Sequence, residues 1–459
     1  MITLPTKMRI HIIGIGGIGM SAIAEILLDL GCLVSGSDIS ENANTKKLSE
    51  RGAKVFIGHN ESNISDEIDI LVHSTAISKN NVEIIIAHEK NIPCYRRSEI
   101  LSDIMRLKNG IAIAGTHGKT TTTSVVSTIF SECGEDPSFI IGGIVTNLNG
   151  HARVGKGPWV IAEADESDGT FLQLSPILAA ITNVDFDHLD YYGTKDALVN
   201  AFKNFCNKIP FYGLLSLNIN DKYLVEISKD LKKPISWYGI RESKDQVIDV
   251  EAKNISSVGF GSTFDLYYKN EFKTKVTTSL LGRHNIENIL AAISTAIGAG
   301  IKIEDAAKAV NAFSGVGRRM QKLYESDGLN VVDDYAHHPT ELEATISALR
   351  EVSDSGTLVG VFEPHRFTRT KDCWKEFLHC FNKLDKLYLL PIYPASEDPI
   401  PGIDSFRLAE DINSLHPGLA NCVRELDEVK ELSTKSGADI IVSMGAGSIG
   451  RKIREHLGV

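Results

Sequence analysis

Gly115-Thr116-His117-Gly118-Lys119-Thr120-Thr121 follows the apolar run Ile111–Ala114 and leads into Thr122 and Thr123. A buried strand that breaks into glycine, lysine and threonine and continues as a helix has the layout of a phosphate-binding loop. Its backbone N–H groups wrap a phosphate, the lysine neutralises the outer oxygens, and the hydroxyl after the lysine ligates Mg²⁺. The loop is shortened, because Ile113 stands where the first glycine of the full-length pattern belongs. A strand–loop–helix start of this kind belongs to an α/β unit built on a parallel sheet.

The same alternation extends both ways. Upstream, Arg9–Ile15 predicts a strand, Ile18–Leu30 a helix and Cys32–Ser37 a second strand, with further strands at Lys54–Ile57, Ile70–His73 and Pro93–Tyr95. Arg106–Gly110 reads as a linker. Downstream, strands are expected at Trp159–Ala162, Ile177–Thr182 and Leu214–Asn218. Phe264–Tyr268 and Phe272–Thr278 then flank Lys269-Asn270 as a hairpin, and the helix Ile286–Ala299 follows. After Gly315-Val316-Gly317 the alternation resumes with strand Asn330–Asp333, helix Thr340–Leu349 and strands Thr357–Phe362 and Ile440–Met444. The 459 residues predict about three domains at ~150 residues each. The expected division is 1–107, 108–317 and 318–459: a Rossmann-like domain, a central P-loop ATPase-like domain and a second Rossmann-like domain.

Composition narrows the function. Hydrophobic residues make up 42% and charged residues 23% of the chain, and the net charge is −11. A chain this acidic is a poor general nucleic-acid binder. The seven cysteines include no Cys-x-x-Cys pair, which argues against zinc knuckles and fits a reducing, cytoplasmic setting. The run Ile10–Ala24, preceded by Lys7 and Arg9, has a superficial likeness to a secretion signal. It contains four glycines, and Glu25 and Asp29 continue its helical pattern, so a buried strand, turn and helix is the expectation, with no membrane insertion.

Two carboxylate-bearing stretches accompany the P-loop. Trp159–Ala162 ends in Glu163-Ala164-Asp165-Glu166-Ser167-Asp168. A carboxylate at the end of a neighbouring strand is where a P-loop enzyme holds magnesium, so Thr120 and Glu163 are the first expected metal ligands. Glu166 and Asp168 read as a solvated loop. Thr182-Asn183-Val184-Asp185-Phe186-Asp187-His188-Leu189-Asp190 follows the next strand. Its His188 is expected on the same side of the sheet, where it would share a second metal with a substrate phosphate.

Gly14-Ile15-Gly16-Gly17-Ile18-Gly19 sits between a strand and a helix, and Asp38 ends the next strand. Gly14, Gly16, Gly17 and Gly19 let backbone N–H groups approach a diphosphate at the helix N-terminus. NAD, FAD and nucleotide-sugars all carry such a group, and the motif does not choose among them. Gly445–Gly450 repeats the spacing and reads as a structural turn.

Taken together, GTHGKTT at 115–121, EADESD at 163–168, TNVDFDHLD at 182–190 and LGRHNIEN at 281–288 resemble the Mur ligase family. GIGGIGMSAIAE at 14–25, DDYAHHPTE at 333–341 and EPHRFTRT at 363–370 extend the resemblance to the other two units. The resemblance implies an enzyme of peptidoglycan precursor synthesis that joins L-alanine to the lactyl carboxylate of UDP-N-acetylmuramate through an acyl phosphate. ATP is the implied co-substrate and Mg²⁺ the cofactor. It implies a UDP-sugar domain with Gly14, Gly16, Gly17, Gly19 and Asp38, and a C-terminal domain that closes over the amino acid. ATP would lie among Gly115–Thr121, His284, Asn285, Asn288, Arg319 and Asp334. Lys119, Glu163 and His188 match the catalytic phosphate and magnesium positions. Arg366 and Arg369, two guanidiniums on one turn, suit the alanine carboxylate.

Plainer readings stand beside these. His284 and Asn285 would cap a helix, His337 and His338 are structural, and Thr340 with Glu343 fits a capping box. Rival functions are a recycling ligase that adds a tripeptide to the same sugar, an NAD-dependent dehydrogenase and a noncatalytic nucleotide sensor. The dehydrogenase leaves the P-loop unexplained.

Overall fold

The computed structural model describes residues 7–74, 77–148, 150–187, 189–326, 328–353, 355–426 and 437–458. These form three sheets in two compact units. The first unit comprises Met1–Lys253, Asp265–Val276 and Glu287–Ser314, and the second Asn254–Phe264, Thr277–Ile286 and Gly315–Val459.

In the N-terminal sheet the spatial order is Lys54–Ile57, Leu33–Asp38, Arg9–Ile13, Ile70–His73, Cys94–Arg96, all parallel. The central strand carries Ile10, Ile12 and Ile13 almost wholly out of solvent, which is why it reads as an unbroken apolar run. Helix Ile18–Asp29 covers the sheet with Ala22, Ile23, Ala24, Ile26 and Leu27. Helix Ala43–Glu50 starts in a reciprocal capping box. Asn42 accepts from the Asn44 and Thr45 N–H groups, and Thr45 Oγ1 accepts from the Asn42 N–H.

The large sheet runs Glu271–Thr278, Gly261–Tyr268, Val250–Val258, Ile235–Gly239, Leu214–Asn218, Leu178–Ile181, Asn109–Ala114, Trp159–Glu163, Ser138–Val145, Gly150–Arg153. The expected hairpin is present, and Lys269 and Asn270 turn it with φ of 49° and 67°. The strand Ser138–Val145 and its antiparallel neighbour Gly150–Arg153 were not foreseen, because Gly142-Gly143 interrupts the apolar run SFIIGGIV at 138–145 and glycine weakens a strand interior. Arg106–Gly110 is no loose linker. Helix Arg97–Arg106 and strand Asn109–Ala114 leave two residues between them, and Lys108 Nζ donates to Ser138 Oγ at 3.0 Å and Gly157 O at 2.9 Å.

Within the first unit the two sheets share one hydrophobic cluster. Ser21 Oγ lies 3.1 Å from His151 Nε2. Buried Glu25 on the same helix accepts from Lys47 at 3.0 Å and Arg51 at 2.7 Å.

In the second unit the order is Gln321–Ser326, Leu329–Asp334, Ile440–Met444, Leu358–Phe362, Lys386–Leu389, Ala420–Cys422, parallel except for the first strand. That edge strand, QKLYES, is too polar to announce itself in the sequence.

Candidate active site

Register places the chemistry. Strand Asn109–Ala114 lies between Trp159–Glu163 and Leu178–Ile181, with Ile113 opposite Glu163 and Ala114 opposite Ile181. The P-loop, the carboxylate stretch and the 182–187 segment therefore leave the same carboxyl edge, where ligands bind in parallel α/β sheets.

The P-loop turns on two glycines. Gly115 has φ 129°, and a Cβ there would stand 2.0 Å from Thr182 Oγ1. Gly118 has φ 81°, and a Cβ there would stand 2.5 Å from Asn288 Oδ1. Gly118 caps helix Lys119–Glu132 with no side-chain hydrogen bond. Asn288 also accepts from Thr122 Oγ1 at 3.2 Å, so it is packed against the start of this helix. The 182–187 segment grips the loop from the other side. Asn183 Oδ1 accepts from the His117 N–H at 2.9 Å, Thr182 Oγ1 donates to His117 O at 2.5 Å, and His117 Nε2 is 3.0 Å from Asp185 Oδ2. His188 lies outside the described residues.

Thr120 Oγ1 donates to Glu163 Oε1 at 2.8 Å, and the Gly142 N–H donates to Glu163 Oε2 at 2.6 Å. A Cβ on Gly142 would stand 2.6 Å from that oxygen, which accounts for the glycine in the unforeseen strand. A hydroxyl and a carboxylate side by side form a hard-oxygen donor pair that suits Mg²⁺.

The expectation of a solvated loop fails for Glu166. Glu166 is 1% exposed, and its Oε2 takes a hydrogen bond from Lys119 Nζ at 2.7 Å. Asp168 is half-buried and accepts from the Thr170 N–H and hydroxyl. Burial alone would raise the Asp165 carboxyl, but Lys119, the Ser167 N–H and Arg97 hold it below the usual range. Glu166 was missed because its partner is 47 residues away in sequence. Its one signal was the density of acidic residues beside a P-loop.

At the first glycine cluster Gly14 has φ 74°, and Gly17 caps helix Ile18–Asp29 with no side-chain hydrogen bond. Asp38 points at the turn itself, and its Oδ2 accepts from the Gly16 N–H at 2.8 Å. Buried there, it braces the glycine turn. Arg97 is a second residue that sequence reasoning missed. A Cβ on Gly19 would stand 2.6 Å from Arg97 Nη1, so a guanidinium overlies the first turn of the helix. No motif in the sequence singles Arg97 out.

The second unit holds the other candidates. Asp334 is buried and accepts from the Met320 N–H at 2.8 Å and the Ala336 N–H at 2.7 Å. Burial pushes its carboxyl up to about 6, against the pull of Arg319 and those two amides. Arg319 lies over the Tyr335 ring and 3.7 Å from Glu341. Burial lowers His284 to about 4, and Asn285 Nδ2 donates to Leu281 O at 2.9 Å. Helix Pro339–Ser353 does not use the expected Thr340–Glu343 box. Pro339 takes the first helical position, which shifts the frame by two. Glu341 then reaches back to the His337 N–H at 3.1 Å and the His338 N–H at 3.4 Å.

Arg366 has φ 70° and ψ 140°, a strained conformation for a residue with a Cβ. Arg369 Nη1 lies 3.3 Å from His365 Nδ1. Burial and the two arginines lower His365 to about 4, so it is neutral at pH 7. Its ring stacks on Tyr393. At the Gly445–Gly450 turn, read from the sequence as structural, a carboxylate of the chain itself occupies the helix start. Glu363 accepts from the Ile449 N–H at 3.0 Å and from Ser448 Oγ at 2.7 Å. A cavity of about 830 Å³ opens beside it, lined by Arg318, His365, Tyr393, Arg451 and Arg454 among others.

Three family models match the chain in order: "Mur ligase family, catalytic domain" over residues 9–109, "Mur ligase middle domain" over 113–296 and "Mur ligase, glutamate ligase domain" over 318–447. A UDP-N-acetylmuramate–L-alanine ligase of Nitratidesulfovibrio vulgaris is 44% identical over 97% of this chain and 98% of its own length. One of Geobacter sulfurreducens is 43% identical over 96% of this chain and 95% of its own. Among solved structures, a UDP-N-acetylmuramate–alanine ligase from Thermotoga maritima superposes with TM-score 0.81 at 26% identity, covering 98% of this chain and 99% of that one. A murein peptide ligase from Psychrobacter arcticus gives 0.71 at 25% identity, covering 98% of both chains. The matches run through all three sheets and reach relatives of equal length, and by that measure the chain belongs to the Mur ligase family.

Proposed function

We propose that this protein joins L-alanine to the lactyl carboxylate of UDP-N-acetylmuramate at the expense of ATP, in peptidoglycan precursor synthesis. The observation that carries the reading is the convergence of Lys119, Thr120 and Glu163 at one sheet edge, in a chain whose full-length relatives bear that name.

A carboxylate does not acylate an amine in water, because its oxygen is a poor leaving group. Transfer of the γ-phosphoryl group of ATP to the lactyl carboxylate makes an acyl phosphate and releases ADP. The alanine amine then attacks the carbonyl carbon, and phosphate leaves. The chain's tasks are to position three substrates and stabilise charge on the transferred group. The amides of Gly115–Thr121 and the Lys119 ammonium take the phosphates. Thr120 and Glu163 would hold Mg²⁺, with His188 completing the set on the strength of the family motif. When bound, the ion neutralises charge on the phosphoryl oxygens.

The remaining roles follow the same reading. Residues 1–107 take the UDP-sugar, with its diphosphate at Gly14–Gly19 and Arg97 as an added cation. Residues 108–317 take ATP, and residues 318–459 supply Arg319 and Asp334 toward the nucleotide. His284, Asn285 and Asn288 serve the nucleotide side as well. Arg366 and Arg369 receive the alanine carboxylate, and the strained Arg366 backbone supports that role, since strain of this kind persists where function demands it. Among the described residues no helix is long and apolar enough to cross a membrane, in keeping with a cytoplasmic enzyme.

Phosphate release with UDP-N-acetylmuramate, ATP and a panel of L-alanine, glycine, L-serine and a tripeptide tests the proposal. Release with L-alanine above the others is expected. Release only with the tripeptide would move the protein to the recycling ligases, and ATP binding without any release would make it a sensor.

A further inference from the structure

Lys119 Nζ has three hydrogens and, among the described residues, three acceptors: Gly115 O at 2.7 Å, Thr116 O at 3.0 Å and Glu166 Oε2 at 2.7 Å. The ammonium is saturated, so a phosphate oxygen reaches it only by displacing one of the three. The two carbonyls belong to the lysine's own loop, which the 182–187 segment holds in place. The Thr116 N–H donates to Asn183 O at 3.1 Å, and Thr116 Oγ1 to Asp185 O at 3.1 Å.

Glu166 is bound differently. Its backbone is anchored, since its carbonyl accepts from the Tyr192 hydroxyl at 2.5 Å and the Gly169 N–H at 3.0 Å. Its side chain is almost wholly out of solvent, and among the described residues Oε1 has no hydrogen-bond partner. A buried carboxylate with one oxygen unpaired is costly, and the Lys119 charge is its principal compensation. Lys119 depends on it less, because Asp165 and Glu163 face the same ammonium.

We propose that Glu166 is a positioning residue that clamps Lys119, and that nucleotide enters by trading the Glu166–Lys119 contact for a phosphate–Lys119 contact. The proposal rests on the reading of Gly115–Thr121 as an ATP site. The exchange replaces one anionic oxygen by another around the same ammonium, so the number of hydrogen bonds to Lys119 is unchanged. Its cost is a buried carboxylate deprived of its cation. The clamp therefore sets nucleotide affinity, and loosening it tightens binding.

The test is equilibrium binding of ATP and of ADP to the full chain and to three variants: Glu166→Gln, Lys119→Met and the double variant. Glutamine fills the same space and removes the charge. Glu166→Gln is expected to lower the ATP Kd about five- to tenfold, as contacting charged pairs couple. In the Lys119→Met background the same substitution should change the Kd by no more than about twofold. Equal tightening in both backgrounds would show that the carboxylate only repels the nucleotide, and would overturn the clamp. Unchanged or weaker binding in a folded Glu166→Gln protein would overturn it too. If glutamine prevents folding, judged by melting temperature, Glu166→Asp replaces it. That variant keeps the charge but draws it back by one methylene, and its Kd should also fall. A wild-type chain that binds neither ATP nor ADP would instead overturn the nucleotide reading of the loop.

Discussion

Thr120 and Glu163, 43 residues apart, are joined by a 2.8 Å hydrogen bond from hydroxyl to carboxylate. Parallel pairing of two buried strands brings them together, with Ile113 opposite Glu163. The Lys119 ammonium beside them is held between its own loop and the Glu166 carboxylate.

Lys119→Ala should leave the fold intact and cut turnover by about 10²–10³, the usual loss when one preorganised contact to a charge-developing group is removed. Steady-state phosphate release measures this, with melting temperature as the control for folding. A folded variant turning over at nearly the normal rate would contradict the P-loop assignment.

Gly16→Ala and Asp38→Ala should weaken the UDP-sugar and spare ATP. A Cβ on Gly16 would stand 2.5 Å from Asn42 Nδ2 and 2.9 Å from Asp38 Oδ2, so the turn must shift. Titration of each nucleotide against the variants decides, and equal loss of both ligands would argue against separate sites.

Arg366→Ala should raise the L-alanine concentration needed for half-maximal rate, with ATP and UDP-sugar binding nearly unchanged. Loss of ATP binding instead would put this arginine on the wrong substrate. Alanine keeps the Cβ, so the strain at φ 70° persists and the readout is the L-alanine requirement rather than stability.

Glu83→Gln should destabilise the N-terminal sheet in a pH-dependent way. Burial alone would raise the Glu83 carboxyl, but the His11 imidazole 3.7 Å away and hydrogen bonds from Ser37 and Asn63 outweigh it and hold the group at about 2, below the usual 4.5. A depressed folded pKa gives stability that is full above about 4.5 and is lost as the pH falls toward 2. At about 1.4 kcal/mol per pKa unit the contribution is about 3 kcal/mol at pH 7. Denaturation of both proteins from pH 7 to pH 3 should show the gap shrinking by about half. A gap constant with pH would mean that the loss is one of packing alone.

Much of this was legible in the sequence for a definite reason. Strands Lys54–Ile57, Ile70–His73, Leu214–Asn218 and Ile440–Met444 match their expected bounds, because strands of a parallel sheet read as apolar runs between turns. Glu166 was not legible, since burial of a carboxylate depends on where a distant cation arrives. Nor was strand Ser138–Val145, whose Gly142 is required by the approach of Glu163 from the next strand. Asp38 was legible as a candidate for the UDP-sugar, but not as the brace of the glycine turn. Pro339 was visible, yet its effect on the capping frame was overlooked in favour of the Thr340–Glu343 spacing.

Glu363 sits across the start of helix Ile449–Leu457, while Asp38 sits below the start of helix Ile18–Asp29, on the Gly16 amide. The two turns share one glycine spelling and differ in where the adjoining strand delivers its carboxylate. At Ile18 the helix end stays open to a visitor, and at Ile449 the protein is its own guest. A lineage could thus retire such a socket by one acidic replacement at a strand terminus and reopen it by the reverse step, with the glycines unaltered throughout. Spelling would record neither event; only the position of that neighbouring acid would.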